Sequence, residues 1–95
     1  MAKQFKFGPD AWKYNNTRLT NQIFKLLPMY ENEEDWQSQR RTVVDELHGY
    51  NKMFEENPHF MVLIAKLMAL DYADDKMIFR KRIFEAISEL KSIQI

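Results

Sequence analysis

Apolar side chains recur along this chain at spacings of three and four residues, which is the period of one face of a helix. The pattern predicts four helices, over residues 17–27, 33–55 and 58–72 and from Asp74 or Asp75 onward. Three Pro and two Gly are few for a chain of 95 residues, so short turns are expected between the helices. The predicted fold is all-α, a small four-helix bundle in which consecutive helices run antiparallel.

Capping residues and prolines set the predicted helix ends. Residues 15–17 are suited to the start of the first helix, and Pro28 should end it because proline lacks the N–H that a helix interior needs. Asn32 is the expected N-cap of the second helix. Asn57 followed by Pro58 is typical of a helix start, with Asn as the cap and Pro at the first helical position.

The second predicted helix has a heptad-like apolar seam with one polar member. The seam comprises Trp36, Arg40, Val43, Leu47, Tyr50 and Phe54. Arg40 is the exception in it. Gly49 also interrupts this helix, and an interior Gly costs about 1 kcal/mol relative to Ala, so we expect a close helix crossing or a bend there.

The third predicted helix is apolar on every side. Between residues 60 and 70 only Lys66 is charged. A helix of this composition needs cover all round, so we expect it at the centre of the bundle. A chain of this length has little surface to spare for that task, since small domains bury only about 60 % of the surface that their unfolded chains expose.

The N-terminal stretch KQFKFGPDAWKY, residues 3–14, predicts an extended arm before the first helix. Its alternating residues place Phe5 and Phe7 on one side, and Gly8-Pro9 breaks the run. We therefore divide the chain into an aromatic arm, residues 1–15, and one helical-bundle domain, residues 16–95. The arm packs either on its own bundle or on that of a second copy, and the sequence does not choose between them.

Charge is balanced overall but unevenly distributed. Residues 1–30 contain five basic and one acidic side chain (+4), residues 31–60 three and eight (−5), and residues 61–95 six and five (+1). Such segregation steers the association of complementary surfaces. The absence of cysteine, of a signal-like leader and of a run of about 20 apolar residues predicts a cytoplasmic protein. Residues of AT-rich codons are abundant, which indicates a bacterium, phage or plasmid as the source.

The usual catalytic and cofactor motifs are missing from the sequence. Without cysteine there is no thiolate chemistry, and two isolated glycines form neither a phosphate-binding loop nor a nucleophile elbow. Asp45 and His48 share one helix face, but a bundle dimetal site needs a second such motif and several inward glutamates. We therefore expect no enzyme activity, no cofactor, no metal and no small-molecule substrate.

Binding to another protein is the function that the sequence favours. The surplus of apolar surface on the third helix predicts a homodimer, or an accessory, regulatory or inhibitor protein with another protein partner. Arg40 would then fix the register against an acidic partner. The predicted interface residues are Phe5, Phe7, Trp12, Tyr14, Trp36 and Arg40. The competing interpretation is that the arm aromatics close the core within one chain.

A small nucleic-acid-associated regulator is the alternative function. The stretch FRKRIF, residues 79–84, supplies a basic patch on the last helix, and Lys76 and Arg80 lie one turn apart, within reach of adjacent phosphates. Lys81 and Arg82 complete this predicted contact. Acidic residues are interleaved with these cations, and the domain-wide basic excess typical of nucleic-acid binders is absent. No membrane contact is expected.

Overall fold

The computed structural model describes residues 9–54 and 57–93 of the chain. In chain order they form α1 (Pro9–Phe24), α2 (Leu26–Glu31), α3 (Trp36–Met53), α4 (Pro58–Met68), a 3-10 turn (Ala69–Tyr72) and α5 (Lys76–Ser92). Four long helices and one short one therefore account for most of these residues, and no strand is present among them. The predicted all-α bundle is confirmed.

Helix α1 begins at Pro9 rather than at Thr17. Proline suits the first helical position, because its fixed φ is already helical and its missing N–H would have had no intrahelical partner. The predicted cap residues Asn15 and Asn16 lie inside the helix instead, where Nδ2 of Asn15 donates to the carbonyl of Ala11 at 2.8 Å. The same atom of Asn16 donates to the carbonyl of Leu90 on α5 at 2.9 Å. Both side chains thus have partners that only the helical conformation provides.

Helix α1 ends at Phe24, close to Pro28 as predicted, but a second helix that was not predicted follows after one residue. Having no N–H, Pro28 leaves the carbonyl of Phe24 without its helical donor, and the helix breaks at Lys25. A new helix, α2, starts at Leu26, so that Pro28 falls in its first turn, where N–H groups have no intrahelical acceptor. The path continues because the N–H of Met29 donates to the carbonyl of Lys25 at 3.3 Å.

The turn after α2 uses two residues that were expected to begin the next helix. Glu33 has a φ of 59°, in the left-handed region. Its N–H donates to the carbonyl of Tyr30 at 3.2 Å, and the N–H of Glu34 donates to that of Met29 at 2.8 Å. This pair of bonds is a Schellman motif, which usually places Gly at the left-handed position. Residues 33–34 therefore close α2 and are not available to start α3.

Helix α3 is capped by Asp35 instead of the predicted Asn32. One carboxylate oxygen accepts from the N–H of Ser38 at 3.1 Å and the other from its hydroxyl at 2.6 Å. These two bonds lower the pKa of Asp35. The other predicted caps are confirmed: Asn57 accepts from the N–H of His59 at 2.9 Å, and Asp75 accepts from the next helix at the same distance.

The seam predicted on the second helix is confirmed in α3. Its buried residues are Trp36, Arg40, Val43, Leu47 and Tyr50, and Phe54 is partly buried. Of the two alternatives expected at Gly49, the close helix crossing is wrong. A Cβ added there would meet nothing within 4 Å, so no other helix crosses closely at this position.

The helix at the centre of the bundle is α5, not the apolar helix α4. Among the described residues, helix α5 packs against α1, α2, α4 and the 3-10 turn, whereas α4 packs mainly against α3, α5 and the 3-10 turn that continues it and meets α1 where Phe60 contacts Trp12. The prediction that the third helix is central and covered on all sides is therefore wrong. Four of its residues, Phe60, Leu63, Ile64 and Leu67, are buried, and the opposite side faces solvent.

We expect Leu63→Ala to cost about 2 to 5 kcal/mol of folding stability, because Leu63 is fully buried between helices and truncation leaves a cavity. Chemical denaturation followed by circular dichroism measures the loss. The control is Met77→Ala, at an exposed position on α5, for which we expect a change within about 0.5 kcal/mol. Equal losses for the two variants would contradict the placement of Leu63 in the core.

Candidate functional site

The outer side of α4 is a continuous uncharged surface. It consists of Met61, Val62, Ala65 and Met68, which we call the α4 face. Met61 is 47 % exposed, Val62 43 % and Met68 43 %, and Ala65 between them is exposed too. Positions i, i+1, i+4 and i+7 share one side of a helix, so the four form a single stripe. Tyr72, in the 3-10 turn, is 77 % exposed and lies beyond its C-terminal end.

The sequence predicted that surplus apolar surface on this helix would take part in an interface, but none of the four residues of the α4 face was among the predicted interface residues. Because every side of this helix is apolar, periodicity does not tell the buried side from the exposed one. The spacing of Met61, Val62 and Met68 would have defined one candidate side. The residues named for the interface were aromatic side chains and Arg40, and of these Trp12, Trp36 and Arg40 have partners within the chain.

Trp12, a predicted interface residue, lies in the core of its own chain. Its ring contacts those of Tyr50, Phe54 and Phe60 edge-on, with centroids 5.4, 5.8 and 5.6 Å away. Its Nε1 donates to the carbonyl of Ile93 at 3.3 Å. Residues from α1, α3, α4 and the end of α5 thus meet at this indole, and its burial closes one end of the bundle.

Trp36 and Arg40 also have their partners inside the chain. The Arg40 guanidinium lies 5.0 Å from the centre of the Trp36 ring and donates to the carbonyl of Leu67 at 3.3 Å. It also forms an ion pair with Asp71, at 3.0 Å. The acidic partner of Arg40 is therefore Asp71 of the same chain, contrary to the expectation that it lies on another molecule. Arg40 joins α3 to the end of α4 and to the 3-10 turn.

The remaining predicted interface residues are at the N-terminal end. Tyr14 lies on α1 and is exposed. Phe5 and Phe7 lie outside the described residues. Of the six predicted interface residues, the structure thus places three in the core and leaves Tyr14 on the surface.

The four cations predicted to contact nucleic acid all lie on α5 but differ in their exposure and in their hydrogen bonds. Lys76, Arg80 and Lys81 are exposed on α5, and within residues 9–54 and 57–93 no salt bridge occupies them. Arg82 is half-buried and donates to the carbonyl of Ala69 at 3.2 Å. The patch therefore has three free members, while the fourth residue links α5 to the 3-10 turn.

An aromatic pair that was not predicted as part of a site has one member on α5, the helix that carries these cations. Phe24 of α1 and Phe84 of α5 meet edge-on with ring centroids 5.6 Å apart, and both are partly exposed. Phe84 lies four residues after Arg80, one helical turn away. Exposed rings beside cations are a feature of surfaces that bind single-stranded nucleic acid.

The histidines and carboxylates do not converge on a metal site. His48 is exposed, and Nδ1 of His59 lies 2.9 Å from a carboxylate oxygen of Glu89. The other oxygen of that carboxylate is 3.6 Å from Nζ of Lys66. In the part of the chain that the structure describes, no three metal-ligating side chains are close enough together to hold an ion.

A polar cluster fastens α1 to α3. The guanidinium of Arg18 binds both carboxylate oxygens of Glu46, and the hydroxyl of Tyr50 donates to Glu46 at 2.9 Å. The hydrogen bond from Arg18 lowers the pKa of Glu46. Burial, followed by the bond to Glu46, raises the pKa of Tyr50. The arrangement is that of a structural ion pair beside the aromatic cluster of Trp12.

No family model matches the sequence, and comparison with curated proteins and with solved structures finds no similar protein. Among the helices of the described ranges, none combines the length and the hydropathy that crossing a membrane requires. The site must therefore be interpreted from its own geometry.

Glu46→Gln should weaken folding mainly above the ordinary carboxyl pKa. Because the folded-state pKa of Glu46 lies below its unfolded value, the ion pair stabilises the fold at neutral pH, and this contribution falls as the pH drops through the folded-state pKa. We expect a loss of roughly 1 kcal/mol at pH 7, since both partners are partly exposed to solvent.

Urea denaturation of Glu46→Gln and the unchanged chain at pH 7 and at about pH 3 measures this effect. The difference between the two proteins should shrink at the acidic pH. Asp45→Asn, at an exposed neighbouring carboxylate, is the control. A difference that is the same at both pH values would show that the ionised form of Glu46 does not stabilise the fold.

Proposed function

We propose that the protein is a non-enzymatic interaction module of the cytoplasm that binds another protein chain through the α4 face. Its first partner is a second copy of itself. A homodimeric accessory or regulatory protein of a bacterium or mobile element is the class that this proposal describes. The observation that carries it is the exposed stripe of Met61, Val62, Ala65 and Met68.

The stripe favours a protein partner because it contains no charged side chain. Covering contiguous apolar side chains with another molecule gains free energy in proportion to the apolar area that is buried. No charged side chain belongs to the stripe, and the nearest cation, Lys66, is already paired with Glu89. A polyanion or a charged small molecule would find no counter-charge there.

A second copy is favoured because it brings an equally uncharged surface. Most soluble oligomers are symmetric homo-oligomers, in which one patch packs against itself. The helices α3 and α5 flank α4 and hold it in place, so the face presented to a partner is rigid. Methionine side chains adapt to an irregular opposing surface, which suits a contact formed between two molecules.

Light scattering coupled to size exclusion tests the proposal. We expect the chain at tens of micromolar to show a mass near twice its monomer mass of 11.5 kDa. Met68→Lys places an unpaired charge in the contact and should weaken association roughly 100-fold or more, because burying such a charge costs several kcal/mol. The variant should therefore elute as a monomer.

Met77→Lys is the matched control, since Met77 is 79 % exposed on α5, away from the α4 face. This variant should keep the mass of the unchanged chain. Circular dichroism confirms that both variants fold. A monomer mass for the unchanged chain, or equal effects of the two substitutions, would overturn the assignment of the α4 face.

A second candidate function is binding of single-stranded nucleic acid by α5. It is favoured by one observation, the exposed pair of Phe24 and Phe84 near Arg80 and Lys81, which have no ion pair in the described structure. Rings of this kind stack on bases and cations neutralise phosphates. Arg82 is half-buried and one of its N–H groups is bonded to the backbone of the 3-10 turn, so it is less exposed than the other three predicted cations.

A gel-shift series with a single-stranded oligonucleotide at increasing salt tests the second candidate. Affinity should fall steeply with salt, and removing two phosphate contacts in Arg80→Ala/Lys81→Ala should make the log–log slope shallower by roughly 1.4. Arg41→Ala, an exposed arginine on α3, is the control and should leave the slope unchanged. If neither variant alters binding, or if no binding occurs at low salt, α5 is not a nucleic-acid surface.

A further inference from the structure

The side chains of the α4 face are spaced symmetrically about Ala65. Val62 precedes it by three residues and Met68 follows it by three, while Met61 precedes it by four and the half-buried Ala69 follows it by four. At a rise of 1.5 Å per residue, Val62 and Met68 each lie about 4.5 Å from Ala65 along the helix. The same helix with its direction reversed therefore presents apolar side chains at the same positions.

We infer that two copies of the chain pack α4 against α4 in antiparallel orientation, around a twofold axis that passes beside Ala65. This inference rests on the proposed function and specifies its geometry. In a twofold contact, residue i of one chain meets residue j of the other, and j meets i. Met61 of each copy then faces Met68 of the other, and Val62 of each copy faces Ala69 of the other. These contacts flank a central pair of alanines.

The small side chain of Ala65 sets how closely the two helices approach. Packed helices have axes about 8 to 10 Å apart, and the smaller distances need small side chains at the contact. Each Cα lies about 2.3 Å from its axis, so at a separation of about 10 Å the two Cα atoms of residue 65 come within roughly 5 Å. A methionine or a charged residue at this central position would hold the axes further apart.

The flank of the contact is electrically neutral. Lys66 lies next to Ala65, and the twofold axis places both copies of Lys66 on the same side of the interface. Each ammonium already has the Glu89 carboxylate of its own chain at 3.6 Å. That carboxylate also lies 2.9 Å from His59 and is largely buried. Each Lys66 is therefore paired with a carboxylate of its own chain, and this pairing offsets the repulsion between the two lysines in the dimer.

Single cysteines test the geometry cleanly, because the chain contains no cysteine of its own. A disulfide needs Cα atoms about 4.4 to 6.8 Å apart. Ala65→Cys should therefore cross-link to itself under mild oxidation and give a covalent dimer on a non-reducing gel. Met77→Cys, exposed on α5, is the control and should stay at the background set by random collisions.

Two further variants determine the orientation of the helices. Met61→Cys mixed with Met68→Cys should cross-link to each other, while each alone should not, because for axes about 9 Å apart their Cα atoms come within roughly 6 Å. In the antiparallel arrangement, the two copies of residue 61 are about 12 Å apart along the helix axis and those of residue 68 about 9 Å, too far for a disulfide. A parallel arrangement would instead cross-link Met61→Cys to itself, and that result would overturn the inference.

The outcome for the inference is separable from that for the proposed function. If the unchanged chain is dimeric by light scattering but Ala65→Cys stays at the Met77→Cys background, the twofold position is wrong and the interaction module stands. If the chain is monomeric and no variant cross-links above background, both are overturned. Melting curves of each reduced variant establish that the cysteine itself leaves the fold intact.

Discussion

The constraint on which the rest of the structure depends is that an apolar helix, α4, has too few neighbours to cover it. Its buried side packs against α3 and α5, and the chain supplies no further helix for the other side within its described residues. Helix α5, whose outer surface carries Lys76, Arg80 and Lys81, takes the centre of the bundle instead. The most apolar element is thus peripheral, and the described residues leave one side of it exposed.

The polar and aromatic groups that usually make an interface specific are engaged inside the bundle. Arg40 holds Asp71 and the carbonyl of Leu67, and Trp12 is surrounded by three rings and donates to Ile93. Removing either side chain would leave a buried partner unpaired or an unfilled core. These residues therefore fix how α3, α4 and α5 sit together. The surface that remains exposed, the α4 face, carries no charge, and an uncharged surface of this kind is compatible with self-association.

The helix pattern, the seam of α3 and the caps Asn57 and Asp75 could be predicted from the sequence, because each depends on residues close together in the chain. The start of α1 could not. Asn16 serves equally well as a cap or inside a helix, and its partner, the carbonyl of Leu90, is 74 positions away. The position of the candidate site likewise depends on contacts between residues that are far apart in the chain. Every side of α4 is apolar, and contacts such as that of Arg40 with Leu67 decide which side is buried.

The exposed side of α4 is small enough that folding does not require a partner. The core beneath it is complete, with Phe60, Leu63 and Leu67 fully buried by the chain itself. Monomeric proteins tolerate apolar patches of a few hundred Å², and four side chains, one of them Ala65, stay within that range. Association would therefore join two folded monomers reversibly instead of creating the fold. A contact of this kind would respond to the concentration of the chain.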